Sequence, residues 1–344
     1  MNTQTRLSLL KRSGFLLSLV FVLLLVASAM LVAGCQLTTA LLPQPSPTAT
    51  ATPTSTATPT ATATPTATPT ATATPTPTLE PLHLSLTLDP PQVRQGHTLV
   101  VRVIANRAIE VEGVFEDRGL AFVNGQAGAW AVVGVPITAR AGAHPVQLSI
   151  ADSLGDTVST TVSVNVVSAD FGAEQIYIPA DRIGLLEPEL VLAEAERLGR
   201  LWGAVSPQQH WQGTFVWPHL GEVTSPFGIG RVYNDGSTSH HGGIDLSGDV
   251  GAPVVASNGG RVALAGPLEV RGNAVILDHG WGVYSGYYHL SEVVVAEGQL
   301  VAQGEMIGRL GNTGLSTGAH LHWEMRVGGV LVDPLEWTTR LIPE

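Results

Sequence analysis

The chain has 344 residues, of which 44% are hydrophobic and 13% are charged, and its formal net charge is −11. This length allows two folded domains with additional segments. The negative charge excludes the basic surface expected of a nucleic-acid-binding protein, and the single cysteine, Cys35, excludes an intramolecular disulfide.

Residues 1–34 have the pattern of a secretory signal. Three positive charges and no acids precede an uncharged apolar run over residues 15–33. The sequence Val32-Ala33-Gly34-Cys35 resembles a bacterial lipobox, which implies cleavage before Cys35 and attachment of lipid to its thiol. The alternative is an uncleaved membrane helix, because the apolar run is near spanning length. Both interpretations predict a protein tethered outside the cytoplasm, and the first predicts a membrane-anchored lipoprotein of the cell envelope.

Residues 35–79 consist largely of Ala/Thr/Pro repeats. Proline lacks a backbone donor, and the segment has too little apolar surface to fold, so we predict a disordered linker. If it is largely polyproline-like, at ~3.1 Å per residue, it would reach on the order of 100 Å. This reach would hold a folded domain well away from a membrane.

Residues 80–168 change to short runs in which apolar and polar residues alternate, as in Leu84-Ser85-Leu86-Thr87-Leu88 and Val162-Ser163-Val164-Asn165-Val166. Turn signals such as Asp89-Pro90-Pro91 and Asn124-Gly125 separate these runs. This pattern predicts an immunoglobulin-like β-sandwich.

Residues 169–214 are expected to be a helical connector. Pro188 and flanking acids begin a run of helix-forming residues, which predicts a helix from about Pro188 to Trp202. Residues 215–344 are rich in glycine and short β runs, and we predict a compact antiparallel β domain there. Eight of the 11 histidines lie after Ser206, an enrichment that indicates a metal site.

Three histidine-containing clusters occur in this last domain. In the first, His241 and Asp245 are separated by Gly242, Gly243 and Ile244, and glycines permit a tight backbone turn. In the second, His320 and His322 are two residues apart, so on a strand they would share one face. The third is Tyr287-Tyr288-His289-Leu290. Together the clusters offer four imidazoles and one carboxylate, which are typical ligand types of zinc. They include more histidines than the metal needs, so the others are available for catalysis.

The order and spacing of short motifs from Trp217 to Trp337 resemble those of the lysostaphin/LytM family of zinc metalloendopeptidases, which cleave peptide bonds of bacterial peptidoglycan. The motifs that carry this resemblance are Ser225-Pro226-Phe227-Gly228, His241-Gly242-Gly243-Ile244-Asp245, Gly272-Asn273, Tyr287-Tyr288-His289-Leu290, Gly311-Asn312-Thr313-Gly314, His320-Leu321-His322 and Val332-Asp333-Pro334.

The resemblance implies a role for each matching residue. His241, Asp245 and His322 match the ligands of Zn²⁺, and three protein ligands leave the fourth tetrahedral position open for water, as a catalytic zinc requires. His289 and His320 match the two catalytic histidines. Asn273 and Tyr287 are weaker candidates for substrate contact or transition-state support.

Three further polar residues of this domain are not assigned a catalytic or ligand role. Glu324 shares a strand face with His322, so it is either a partner of that ligand or a surface acid. We predict that His279 is a turn residue and that His240 is a groove or surface residue.

The predicted function is therefore a zinc-dependent endopeptidase that hydrolyses peptide cross-links or stem peptides of peptidoglycan. The alternative is a catalytically silent wall-binding or hydrolase-activating protein of the same fold. Such relatives usually lack metal ligands, and here all five key positions are filled.

Overall fold

Nine strands in two sheets form the first part of the computed structural model, which describes residues 80–125 and 128–343. The predictions for the signal, Cys35 and the linker lie outside the described residues. In chain order the strands are β1 (Leu84–Asp89), β2 (Gln92–Arg94), β3 (Thr98–Ala105), β4 (Ile109–Phe115), β5 (Arg118–Leu120), β6 (Val123–Gly125), β7 (Gly128–Gly134), β8 (Gly142–Asp152) and β9 (Thr157–Val167).

The two sheets have the strand orders β1-β3-β7-β6 and β2-β9-β8-β4-β5. Alternation places one face of each strand in a shared core, as in β4, where Ile109 and Val111 are buried and Glu110 and Glu112 are exposed. The alternating strands predicted from sequence are therefore present. Their assignment to the immunoglobulin class remains a prediction.

The connector contains β10 (Ala173–Ile176), a 3₁₀ turn (Ile183–Leu186) and helix α1 (Pro188–Trp202). The helix has the predicted bounds, because Pro188 fits the first turn, where no backbone donor is needed. Leu198 and Trp202 pack into a cluster with Tyr284 and Tyr288. Within the described ranges, no helix has the length and hydropathy that a membrane span needs.

The last part of the chain is mainly antiparallel β, as predicted. Its elements are β11 (Val223–Ser225), β12 (Gly230–Tyr233), β13 (Thr238–His240), β14 (Gly243–Ser247), β15 (Pro253–Val255), β16 (Gly260–Leu268), β17 (Gly272–Gly280), β18 (Val283–Leu290), β19 (Glu292–Val293), β20 (Leu300–Val301), β21 (Met306–Arg309), β22 (His320–Val327), β23 (Val330–Val332) and helix α2 (Pro334–Thr339).

The largest sheet has the order β11-β14-β22-β18-β17-β16-β20, with β23 also paired to β22. Strands β17 and β18 are buried along nearly their whole length, since the sheet is covered on both faces at its centre. A three-stranded sheet, β15-β21-β19, completes this domain. The connector joins it as well, because β10 pairs in parallel with β12.

The two-sheet region is joined to the C-terminal helix by specific polar contacts. The backbone N–H of Thr98 donates to Glu336 Oε2 at 2.8 Å, and Trp337 Nε1 donates to Thr98 Oγ1 at 3.2 Å. Arg340 donates to both the carbonyl and the carboxylate of Asp89. Buried Val100 and Val132 also belong to the core cluster of the last domain, so the two regions share a packed interface.

Candidate metal centre

Strands β14 and β22 bring together residues that lie 77 positions apart in the chain. Asp245 pairs with His322, and Ser247 pairs with His320. A Cβ atom at Gly243 would lie 2.2 Å from the carbonyl oxygen of Trp323, so only glycine allows the two strands to approach this closely. Gly243, one of the two glycines between His241 and Asp245, therefore permits the close approach of β14 to β22.

Three potential ligand atoms converge at this point. His241 Nε2 lies 3.0 Å from Asp245 Oδ1 and 2.9 Å from His322 Nδ1, and His322 Nδ1 lies 2.7 Å from Asp245 Oδ1. All three residues are buried. Two imidazole nitrogens and one carboxylate oxygen facing a common point are a donor set that suits zinc.

Hydrogen bonds on the far side of each ring fix the tautomer that metal binding needs. His241 Nδ1 donates to the carbonyl oxygen of Pro226 at 2.9 Å, which leaves the lone pair on Nε2. His322 Nε2 lies 3.3 Å from Glu324 Oε1, which leaves the lone pair on Nδ1. Such partners orient ligands and raise their basicity.

Glu324 is a buried partner of His322 rather than a surface acid, with 4% of its surface exposed. Burial raises its pKa, but Arg326 and His322 outweigh this effect, so the pKa lies well below its ordinary value. The carboxylate therefore remains ionised in the protein interior. An ionised acceptor holds the ring of His322 more firmly than a neutral one.

Asp245 is held from its other side by an arginine that the sequence analysis did not single out. Arg231 Nη2 donates to Asp245 Oδ2 at 2.7 Å, which leaves Oδ1 directed at the two imidazoles. Arg231 Nε donates to Glu174 Oε1 at 2.7 Å. Ser225 Oγ donates to the same oxygen at 2.7 Å and lies 3.1 Å from His241 Nδ1. Glu174 thus contacts both Arg231, the partner of Asp245, and Ser225, which lies next to His241.

His289 and His320 lie beside this cluster, with ring centroids 4.8 Å apart. His289 Nδ1 donates to the carbonyl oxygen of Thr313 at 2.8 Å, and His320 Nδ1 donates to that of Gly318 at 2.9 Å. Burial and the neighbouring His320 lower the pKa of His289 to about 3, and burial lowers the pKa of His320. Both rings are therefore neutral with an unprotonated Nε2.

The backbone of His289 adopts φ = 60°, an unusual conformation for a residue with a side chain. Its N–H donates to the carbonyl oxygen of Arg271 at 3.0 Å. Asn273 donates through its side-chain amide to the carbonyl oxygen of Leu290 at 3.1 Å. The structure thus places Asn273 as a support for the segment that carries His289.

A cleft of about 310 Å³ opens above the cluster. Asp245, His289, His320 and His322 line one side of it, and the connector supplies Glu174, Ile176 and Ile178. Besides the predicted helix, the connector contains a strand that the sequence did not indicate, because Ala173–Ile176 pair with β12. The connector shapes the space in which a substrate would lie.

Two sequence-based assignments are corrected by the structure. Tyr287 is fully buried, and its hydroxyl lies 2.6 Å from Ser257 Oγ, so direct contact with a substrate is excluded in this conformation. Tyr288 instead packs beside His322, at 5.7 Å between ring centroids. His279 is a buried strand residue rather than a turn residue, and it contacts Ser285 Oγ at 2.8 Å. His240 is exposed, as predicted.

Comparison with known proteins identifies the region around this site. Residues 239–334 match the model of peptidase family M23. A Pseudomonas aeruginosa protein named lipoprotein NlpD/LppB homolog is 39% identical over 129 residues, which cover 37% of this chain and 41% of the relative. The DD-carboxypeptidase/endopeptidase Mpg of Neisseria meningitidis serogroup B is 44% identical over 114 residues, which cover 33% of this chain and 26% of the relative. The chain thus spans less than half the length of either relative.

The similarity to solved structures extends beyond the matched region. A crystal structure of an M23-type peptidase from Pseudomonas aeruginosa is 25% identical, with a TM-score of 0.51, and the match covers 67% of this chain and 88% of that one. These findings confirm the resemblance to the lysostaphin/LytM family predicted from the motifs. Glu174, Ser225 and Arg231 all precede the residues that match the family model.

Proposed function

We propose, from the M23 peptidase domain formed by residues 239–334, that this protein is a zinc-dependent endopeptidase that hydrolyses peptide bonds of bacterial peptidoglycan. The observation that carries the proposal is the convergence of His241 Nε2, Asp245 Oδ1 and His322 Nδ1. A zinc ion held there would activate water and polarise the scissile carbonyl. The name of the Neisseria relative, which includes both carboxypeptidase and endopeptidase, supports chemistry at a peptide bond.

The proton transfer is assigned to the two neighbouring histidines. Each has an unprotonated Nε2, because Nδ1 is committed to a backbone carbonyl. His320 Nε2 lies 3.6 Å from Asp245 Oδ1, so it is next to the proposed ligand set and can accept a proton from water in the cleft. His289 lies beside His320, with ring centroids 4.8 Å apart. A proton that His320 takes from water and passes to His289 Nε2 would let His289 donate it, or a hydrogen bond, to the substrate.

The ligand set predicts metal dependence. The purified protein is expected to contain about one zinc ion per chain, because three buried ligands hold a single ion. Removing the ion with a chelator is expected to abolish hydrolysis of peptidoglycan, and adding zinc should restore it. Elemental analysis beside a wall-lysis assay measures both quantities. A folded protein that binds no zinc, or that hydrolyses peptidoglycan equally well after chelation, would contradict the zinc mechanism.

We further propose that the protein acts outside the cytoplasmic membrane, anchored by lipid on Cys35. This part rests on the sequence Val32-Ala33-Gly34-Cys35 and is supported by the name of the lipoprotein homolog from Pseudomonas aeruginosa. Intact mass and metabolic lipid labelling are expected to show a lipid at Cys35, and Cys35→Ser should lose it. An unmodified protein that begins at Met1 and stays in the membrane would instead support the uncleaved helix.

A further inference from the structure

A second cavity, of about 430 Å³, lies away from the metal cluster. Its walls come from strands β5, β7 and β22, from helix α1 and from the β16–β17, β17–β18 and β22–β23 turns. The charged residues that line it are Arg118, Arg271 and Arg326, and no described acid is among its lining residues. A cavity lined by three cations is unexpected in a chain with a formal net charge of −11.

Two of these arginines are paired with buried carboxylates that do not line the cavity. Arg271 Nη1 donates to Glu194 Oε1 at 2.8 Å, and Arg326 Nε lies 3.3 Å from Glu324 Oε2. A guanidinium has five N–H donors, so each arginine keeps donors beyond these contacts. The pairs fix the positions of the two guanidinium groups and leave part of each available to the cavity.

Arg118 differs from the other two. Its Nη2 donates to the carbonyl oxygen of Gly134 at 3.0 Å, and its guanidinium lies 5.9 Å from the ring centroid of Phe115. Within the described residues it has no carboxylate at ion-pair distance. Glu116, whose charge acts on Arg118, is in contact with His144. Burial lowers the pKa of Arg118, and the charge of Glu116 offsets this only in part. The charge of Arg118 is therefore not balanced by a described carboxylate at ion-pair distance, unlike the charges of Arg271 and Arg326.

The remaining walls combine aromatic and small residues. Trp202 and Trp281 line the cavity together with several glycines, and the guanidinium of Arg326 lies 4.9 Å from the ring centroid of Trp202. A Cβ atom added at Gly119, Gly199 or Gly328 would meet no other atom within 4 Å. These three glycines are exposed, so the space next to them is open to solvent. The volume of about 430 Å³ provides room for a compact body beside the charged groups.

We propose that this cavity is a second binding site, for a small organic anion in which a carboxylate or phosphate group is attached to a compact uncharged body. Planar guanidinium groups match both oxyanions in geometry and form charge-assisted hydrogen bonds with them. The aromatic and glycine-lined walls accept the uncharged part. The site requires both the two-sheet region and the M23 domain, because Arg118 comes from the first and Arg271 and Arg326 come from the second.

Benzoate and phenyl phosphate test the proposal, because they place the two oxyanions on the same apolar ring. Each is titrated calorimetrically into the full-length protein at low salt, with benzyl alcohol as the neutral probe. Chelator-treated protein is titrated as well, so that binding of the anion to a metal ion is recognised. We expect saturable binding of at least one anion before and after chelation, and weaker binding of the alcohol. A preference between the two anions distinguishes a carboxylate ligand from a phosphate ligand.

Three variants locate the binding. Arg118→Gln removes the unbalanced charge and should weaken anion binding by about tenfold or more, since a charge-assisted hydrogen bond to the anion is lost. Gly199→Leu places a side chain on the cavity face of α1 and should abolish binding, while replacing a helical glycine favours folding. Arg261→Gln alters an exposed arginine outside the cavity and should leave the affinity for the anion unchanged.

Thermal unfolding of each variant shows whether it is folded. The proposal is overturned if the wild-type protein binds neither anion, or if folded Gly199→Leu binds the anion as tightly as the wild type. Equal loss of binding in Arg261→Gln and Arg118→Gln would also overturn it, because the effect would then reflect net charge rather than this cavity.

Discussion

Replacing His322 with alanine is expected to remove zinc from the protein and abolish hydrolysis, whereas replacing His320 is expected to leave zinc bound. His322 Nδ1 lies 2.7 Å from Asp245 Oδ1 and 2.9 Å from His241 Nε2, within the proposed ligand set. His320 lies at the edge of that set. His320→Ala should therefore lower turnover by about 10²-fold or more, in the usual range for a general base.

Elemental analysis, lysis rates and melting temperature separate the two roles. A bound metal stabilises the state that holds it, so zinc should raise the melting temperature of His320→Ala but not that of His322→Ala. His289→Ala should behave like His320→Ala. If His320→Ala loses zinc while His322→Ala keeps it, the roles within this pair are reversed. If all three variants remain active, the catalytic site lies elsewhere.

Replacing Arg231 with alanine is expected to weaken zinc binding by roughly 10–100-fold, the usual effect of removing a group that orients a metal ligand. Arg231 holds Asp245 Oδ2 at 2.7 Å. Without this contact, the buried carboxylate would lose its nearest cation and could rotate away from the imidazoles. Glu174→Gln should have a smaller effect in the same direction, because Glu174 orients Arg231 rather than the ligand itself.

Competition with a zinc chelator measures these affinities independently of catalysis. Arg231→Lys is the informative intermediate, because it keeps a positive charge but loses the planar fork that contacts several acceptors at once. Arg200→Gln is the matched control, since the side chain of Arg200 is 71% exposed and its ion-pair partner in the described part of the chain is the surface residue Glu196. Unchanged zinc affinity in folded Arg231→Ala would show that Asp245 is positioned without it.

The sequence was sufficient for features that depend on local patterns. Helix α1 has its predicted bounds, because Pro188 and the helix-forming residues after it act within the segment itself. His320 and His322 both reach the cleft because they lie two residues apart on one strand. Asp245 and His241 could be recognised as candidate ligands because the glycines between them permit a tight turn and because the motif matches that of the resembled family.

Features that depend on long-range contacts could not be predicted in the same way. Arg231 and Glu174 are 57 residues apart and meet only because β10 pairs with β12. His279 was mistaken for a turn residue because its partners, Gly259 and Ser285, are brought to it by neighbouring strands. No local spacing rule indicates either arrangement.

Tyr287 is buried away from the cleft because the backbone at His289 departs from the conformation of a regular strand. On a regular strand, Tyr287 and His289 would share a face. The left-handed φ of His289 breaks this alternation, so Tyr288 and His289 both pack near His322. Tyr287 faces the interior instead, where its hydroxyl contacts Ser257.

Mass spectrometry of muropeptides released from purified peptidoglycan tests the proposed function most directly. The zinc-loaded protein should produce fragments with newly cleaved peptide bonds, and the mass and termini of these fragments identify the bond. The same fragments should be absent after chelation and reduced by about 10²-fold or more with His320→Ala. Intact peptide links after digestion with folded, zinc-loaded protein would contradict the endopeptidase and support a catalytically silent wall-binding or hydrolase-activating protein.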